Sequence, residues 1–252
     1  MKAFIQVKEN GDWLNENCYA SAEGFHRMGY QIRRFNLKDT KPEFGKGSFN
    51  DFDLSEDIAH GGIKAMRNLF DQFGFPQPVI HNPHDHLPDY LGREMIETNM
   101  VSVVDKFMKD THPTPVFIKP LDEHKLFTGK VIKSFTDIIP LSGIPNETMV
   151  LQSEVVNYIS EYRCFVNRRA LIGCKNYTGN FTVLPNFDMV HDSIRDYKDQ
   201  PISYSVDFGI TDRGETQLIE INDGFALGAY GLNPILYCKM IRDRWSEIKN
   251  TK

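Results

Sequence analysis

No run of apolar residues in this 252-residue chain approaches the ~20 needed to cross a bilayer. The start, Met1 to Val7, lacks the apolar stretch and small-residue cleavage site of a secretory leader. Cysteine is scarce: Cys18, Cys164, Cys174 and Cys238 are widely separated and none forms a C-x-x-C pair. That pattern argues for reduced thiols in a cytoplasmic protein, against a disulfide framework or a zinc site. Positive charge is in deficit, with a formal net charge of -5. A general nucleic-acid binder needs a basic face to displace phosphate counterions, so that class is disfavoured apart from a local basic groove. Internal repeats and low-complexity tracts are also absent. What remains is an ordinary globular composition, 40% hydrophobic and 25% charged, sufficient for a sizeable core or two smaller lobes.

The N-terminal part reads as an α/β unit. Ala3 to Val7 predicts a strand, Asn15 or Asn17 caps a helix running to Met28, Gly29 ends it, and Tyr30 to Phe35 predicts a second strand, parallel to the first. Lys38 to Leu54 reads as loop. Ile63, Met66, Leu69, Phe70 and Phe73 have helical spacing, and Gly74 with Pro76 stops that helix. Arg93 to Lys109 predicts one amphipathic helix with Ile96, Met100, Val103, Val104, Phe107 and Met108 in its stripe. The Thr111-His112-Pro113-Thr114-Pro115 segment is the expected boundary, giving an N-terminal α/β domain over 1–112 and a second domain over 113–252. Strands dominate the second: Val116 to Lys119, Thr148 to Val156, Tyr162 to Val166, Leu171 to Lys175, Ser203 to Ile210 and Thr216 to Ile221, before a final helix from Pro234 to Ile248.

The last strand pair carries the most chemistry. A two-residue turn at Arg213-Gly214, or a four-residue loop from Asp212 to Glu215, pairs Asp207 with Glu220 and leaves Asn222 on the same face. A three-residue loop separates them onto opposite faces. Like charges directly opposite destabilise a sheet, so the paired arrangement makes best sense with a cation between them. Magnesium suits such hard oxygen donors. A surface hairpin with solvated acids is the alternative.

Lys119 ends an apolar strand and is stiffened by Pro120, a placement that presents a point charge to phosphate, although a strand-end lysine can equally reach solvent. Lys125 lies in a loop with Gly129 that can fold over a nucleotide. The Thr148 to Val156 segment offers an edge whose backbone can read an adenine, with Glu154 or a neighbour reading the ribose. Arg163 shares a strand face with Glu161 and can stabilise developing phosphoryl or oxyanion charge. Lys175 joins that face only if the turn at Asn167 has odd length. Solvated surface cations account for both almost as well. Gly224 to Gly231 brings glycines that let amides approach an anion, or serves as a plain connection. His81, His84 and His86 sit among Pro83 and Pro88 in a turn-rich stretch, expected to be solvated or substrate-facing rather than metal-binding.

Taken in order, these pieces resemble the ATP-grasp superfamily, and in particular its phage-rich clade named after one arginine and two lysines. The resemblance rests on Phe117-Ile118-Lys119-Pro120, Lys125-Leu126-Phe127-Thr128-Gly129, Glu161-Tyr162-Arg163-Cys164-Phe165-Val166, Val206-Asp207-Phe208-Gly209 and Ile219-Glu220-Ile221-Asn222-Asp223-Gly224. It implies an α+β ATP-grasp fold, two α+β lobes clasping ATP, preceded by the N-terminal α/β domain. It further implies magnesium and a carboxylate–amine ligation through an acyl phosphate. On this resemblance the two lysines map onto Lys119 and Lys125, and the arginine onto Arg163, with Lys175 as a second catalytic candidate. Gln152, Glu154, Val155 and Glu161 are the other nucleotide-contact candidates. The metal ligands map onto Asp207, Glu220 and Asn222. Partners are then small-molecule or peptide carboxylates and amines in the cytoplasm, the host's if the chain is phage-encoded. Two other readings stand beside it: a nucleotide-binding protein without ligase activity, and a kinase-like phosphotransferase. The second rests on Asp207-Phe208-Gly209, but the chain has no His-Arg-Asp loop, no Walker loop and only Gly45-Lys46-Gly47 of a glycine-rich loop.

Overall fold

The structure is a computed structural model that describes residues 1–41, 47–121 and 126–251. Near the N-terminus, β1 (Lys2–Gln6) is almost wholly buried because strands flank it on both sides. Helix α1 (Glu16–Arg27) follows, and the Asn15 side chain accepts the Cys18 amide at 3.0 Å, supplying the predicted cap. Strands β2 (Gln31–Phe35) and β3 (Ile58–His60) pair parallel to β1 in the order β2-β1-β3. Only three residues long and fully buried, β3 carries no alternation for a sequence pattern to show. Helix α2 (Ile63–Phe73) ends at Gly74, whose φ of 70° is the left-handed cap position that favours glycine. A single turn, α3 (Pro83–His86), follows within the histidine stretch.

The predicted helix over Arg93 to Lys109 is instead a strand and a shorter helix, β4 (Met95–Asn99) and α4 (Met100–Lys109). Asn99 explains the break: its side chain accepts the Ser102 amide at 3.0 Å, so the helix starts there. The preceding residues gain ladder partners along β7 (Met149–Glu154), with Ile96 opposite Gln152. Strands β5 (Val116–Pro120) and β6 (Lys130–Ile132) complete an antiparallel sheet in the order β4-β7-β5-β6. Met100, Val103 and Phe107 of α4 cover one of its faces against Val116, Ile118 and Val150. Because β4 precedes residue 113, the expected division at 112/113 runs between strands of one sheet.

A second antiparallel sheet, ordered β11-β10-β8-β9, contains β8 (Tyr158–Asn167), β9 (Ala170–Gly179), β10 (Ser203–Thr211) and β11 (Thr216–Asp223). Helix α5 (Phe187–Asp196) packs Val190 and Ile194 onto the face formed by Cys164, Val166, Val206 and Phe208. The opposite face meets the N-terminal core through Phe165, and helix α6 (Pro234–Asn250) joins that core with Tyr237 and Trp245. The molecule thus joins a parallel α/β unit to two antiparallel sheets, each backed by a helix, with a cleft between the sheets. Among the described residues no helix is long and apolar enough to cross a membrane.

His60 sits at the heart of the shared core, 1% exposed, with Nδ1 2.9 Å from the Ser21 hydroxyl. Burial lowers its pKa to about 4. The unfolded chain takes up a proton on this imidazole below about pH 6.5, while the folded chain does not until near 4. Stability from this residue is therefore complete above about 6.5 and lost as pH falls, by about 3 kcal/mol at pH 4. His60→Gln should lose less stability than the parent between those pH values in urea unfolding; parallel curves would refute the assignment.

Candidate active site

Four charged side chains stand in one row across the second sheet. Glu220 on β11 pairs with Asp207 on β10, Asp207 with Arg163 on β8, and Arg163 with Lys175 on β9. Directly paired residues share a face. Neither turn alone produces this row. The β10–β11 loop has three residues, Asp212 to Gly214, closed by a Thr211 amide to Glu215 carbonyl bond of 2.9 Å. That length, by itself, puts Asp207 and Glu220 on opposite faces. A bulge at Ile219 adds the compensating residue, so Phe208 faces Leu218 whereas Asp207 faces Glu220. The same device recurs on the other side. The β8–β9 turn has two residues, Arg168 and Arg169, with φ of 51° and 64°, and a bulge at Ile172 brings Lys175 opposite Arg163.

Arg93 fixes the first bulge. Its guanidinium donates to the carbonyls of Leu218 at 2.7 Å, Ile219 at 3.4 Å and Leu91 at 3.0 Å, the first two at the irregular step of β11. Nothing in the sequence separated Arg93 from a helix-start arginine, because its partners are backbone atoms 125 and 126 residues away.

Arg163 holds the row together. Its Nε and Nη2 donate to the two Asp207 oxygens at 2.9 and 2.6 Å, and Nη2 reaches Glu220 at 3.4 Å. The Tyr230 ring lies 4.8 Å from the guanidinium carbon and 5.3 Å from the Tyr177 ring, and Tyr230 takes a left-handed φ of 43°. Residues held in that region often mark functional sites. Burial pushes Asp207 upward in pKa while the Arg163 charge opposes it. Burial pushes Glu220 upward too, but the Asn222 amide with Lys119 and Arg163 outweighs it and holds Glu220 below its usual value. The arginine stays charged, since its acidic partners outweigh its own desolvation.

Lys119 faces the same cleft, a cavity of about 520 Å³ that it lines with Gly129, Glu220, Asn222, Ile63 and His81. Its ammonium has no ion-pair partner among the described residues; burial lowers its pKa, and Glu220 opposes the shift. Gly129 is required at its position, because a Cβ there would lie 2.5 Å from the Phe117 ring and 3.5 Å from the Lys119 Cβ. A second cavity of about 280 Å³ is lined by Phe117, Val131, Glu154, Val155, Tyr158 and Glu161. Its lining combines apolar side chains with these two carboxylates, and the Tyr177 hydroxyl donates to Glu161 at 2.6 Å. Gln152 does not reach it. It pairs with Ile118 on the face that α4 covers and lines a separate groove with Ile96, so the strand alternation removes it from the cleft. Lys125 lies outside the described residues.

The histidine stretch divides among three tasks. His81 reaches the cleft and shares a 2.5 Å hydrogen bond with the buried Tyr197 hydroxyl. His86 packs on the Tyr197 ring at 5.1 Å, and His84 contacts Glu97 at 3.0 Å. The Asp207-Phe208-Gly209 tripeptide is an internal stretch of β10, with Phe208 in the core and the Tyr158 ring 2.3 Å from where a Gly209 Cβ would stand.

Glu220 and Asn222 offer hard oxygen donors to the cleft and fit a magnesium ion completed by water and phosphate. Asp207 is fully buried with both oxygens engaged by Arg163, so it can join such a site only by sharing. Asp223 is removed from it by Arg244, which grips its two oxygens at 2.8 and 2.5 Å.

No curated protein matches the chain significantly in sequence. Among solved structures it is similar to a RimK domain ATP-grasp protein from Sphaerobacter thermophilus, with 14% identity, TM-score 0.58, and 97% of this chain and 99% of that one covered. It is also similar to D-alanine–D-alanine ligase from Bacillus anthracis complexed with ATP, at 12% identity and TM-score 0.55, covering 100% and 98%. N5-carboxyaminoimidazole synthetase from Staphylococcus aureus gives 11% identity and TM-score 0.60, covering 96% and 77%. At these identities the likeness establishes the shared ATP-grasp fold. A family model matches residues 90–240, more than half of the chain. The protein therefore belongs to the family described as ATP-grasp domain, R2K clade family 2.

Proposed function

We propose that the chain is an ATP-dependent carboxylate–amine ligase working through an acyl phosphate. The observation that carries this reading is the continuous row Glu220, Asp207, Arg163 and Lys175 beside a cleft that also holds Lys119. Structures of the same fold include proteins named as D-alanine–D-alanine ligase and N5-carboxyaminoimidazole synthetase, which supports a ligase over a plain nucleotide binder.

In this reading adenine enters the smaller cavity against Phe117, Val131 and the Val155 backbone, with Glu154 or Glu161 meeting the ribose. The phosphates extend into the larger cleft toward Lys119, whose ammonium, without an ion-pair partner among the described residues, is a ready counter-charge. Magnesium, held by Glu220 and Asn222 with Asp207 behind them, would neutralise charge on the phosphates. Arg163 keeps its two bonds to Asp207 and gives up the long 3.4 Å contact to Glu220, which frees one edge for the reacting group. A substrate carboxylate oxygen attacks the γ-phosphorus, ADP departs, and Arg163 with Lys175 stabilises the charge on the transferring group. An amine then attacks the acyl carbon, phosphate leaves and the amine proton is lost. Small-molecule or peptide carboxylates and amines are the substrate class.

This assignment separates binding from chemistry. Lys119→Ala should weaken magnesium–ATP binding at least about tenfold in calorimetry, about 1.4 kcal/mol, while Lys175→Ala should lower turnover more than affinity. Equal losses of affinity in both would contradict the division. Heavy oxygen placed in the substrate carboxylate should appear in the released phosphate; AMP and pyrophosphate as products would exclude the mechanism. The ion pair has its own signature. Arg163→Met leaves Asp207 buried without its partner and should cost about 3–5 kcal/mol, and adding Asp207→Asn should restore part of that loss in urea unfolding. A double variant less stable than the single one would show that the pair is not the cause.

A further inference from the structure

Cys164 and Cys174 are directly paired across β8 and β9, with Sγ atoms 3.0 Å apart. Paired residues of antiparallel strands have Cα atoms roughly 4.5–5.5 Å apart, within the span that a disulfide bridges without moving the backbone. The bulge at Ile172 that sets Lys175 opposite Arg163 also sets these two thiols opposite each other. They occupy the neighbouring positions on each strand and point to the α5 side of the sheet, where both pack in the same apolar cluster.

The two thiols are unequal in a useful way. Cys164 is buried, whereas Cys174 is half-buried and open to a small reagent. Their contact holds the Cys174 thiol below its ordinary pKa and raises that of Cys164. Cys18 and Cys238 are both buried, and burial raises their thiols, Cys18 to about 12. Cys174 is therefore the more reactive thiol and has Cys164 directly against it, whereas Cys18 and Cys238 are buried and inert.

The geometry points to Cys164 and Cys174 as a reversible oxidation site, with Cys174 attacking a peroxide and Cys164 resolving the product into an intrachain disulfide. The Cys174 thiolate attacks one peroxide oxygen, the O–O bond breaks, and a sulfenic acid and hydroxide result, the latter leaving as water. The Cys164 sulfur then attacks the Cys174 sulfur; hydroxide departs with the Cys164 proton as a second water. Two thiols are oxidised and one peroxide is reduced. The bond formed pins the pairing of β8 with β9 beside Arg163 and Lys175, so the oxidised chain holds the row's register covalently. This inference does not depend on which reaction the cleft performs.

The test is hydrogen peroxide titration of the full chain, followed by alkylation under native and then denaturing conditions and peptide mass spectrometry. A linked Cys164–Cys174 peptide lighter by two hydrogens, reversed by dithiothreitol, is expected, with Cys18 and Cys238 alkylated only after unfolding. Cys164→Ser should form the sulfenic acid at Cys174 without a disulfide and go on to sulfinic acid there. Amide hydrogen exchange in β8 and β9 should slow on oxidation of the parent and stay unchanged in that variant. The proposal is overturned if the parent accumulates sulfinic acid at Cys174 as fast as the variant does, or if Cys174 remains as freely alkylated after peroxide as before.

Discussion

A guanidinium between two carboxylates is the contact on which the centre of this molecule depends. Asp207 and Glu220 are directly paired; directly opposed residues have Cβ atoms about 5 Å apart, and two unit charges at that spacing repel by roughly 3 kcal/mol at an effective dielectric of about 20. Arg163 supplies the compensating charge from within the fold, at 2.6 and 2.9 Å to one acid and 3.4 Å to the other. Two paired acids call for a cation between them, and in the structure the Arg163 side chain plays that part. A metal ion is thus not needed to make the strand pair tolerable, and the case for one rests on the cleft-facing donors of Glu220 and Asn222. The unequal contacts matter for mechanism: the short pair anchors Arg163, and the long one can be released.

Residue types and strand positions in this site were legible, but the register was not. Lys119, Arg163, Asp207, Glu220 and Asn222 lie on the strands that apolar alternation marks. Their meeting depends on parity, which turn length and bulges set together. Both hairpins have the loop length that alone would separate the charges, and both are corrected by one bulged residue, Ile219 in one and Ile172 in the other. A bulge has little local sequence signature when its support comes from a distant chain segment, as the Arg93 bonds to Leu218 and Ile219 illustrate.

The other discrepancies have equally specific causes. Ile96 stands at helical spacing from Met100, so periodicity fused a strand and a helix that the Asn99 cap separates. Gln152 belongs to the expected segment yet faces the wrong side, because Leu151 and Ser153 take the cleft face opposite Lys119 and Phe117. The histidines form one group in sequence, but their roles follow from partners far away in the chain, above all Tyr197 beneath His81. Helix α5 shows only a short signal in sequence, the Asn186 cap and a buried stripe of Val190 and Ile194.

The most direct measurement is anomalous scattering from manganese in crystals grown with a non-hydrolysable ATP analogue. A manganese peak is expected within coordination distance, roughly 2 Å, of Glu220 and Asn222, with the analogue's phosphates reaching Lys119. His84, Asp85 and Glu97 form a separate group on the surface whose ligand atoms lie within 4.8 Å of one another. Manganese at that group alone, or nucleotide density away from the cleft, would contradict the central claim.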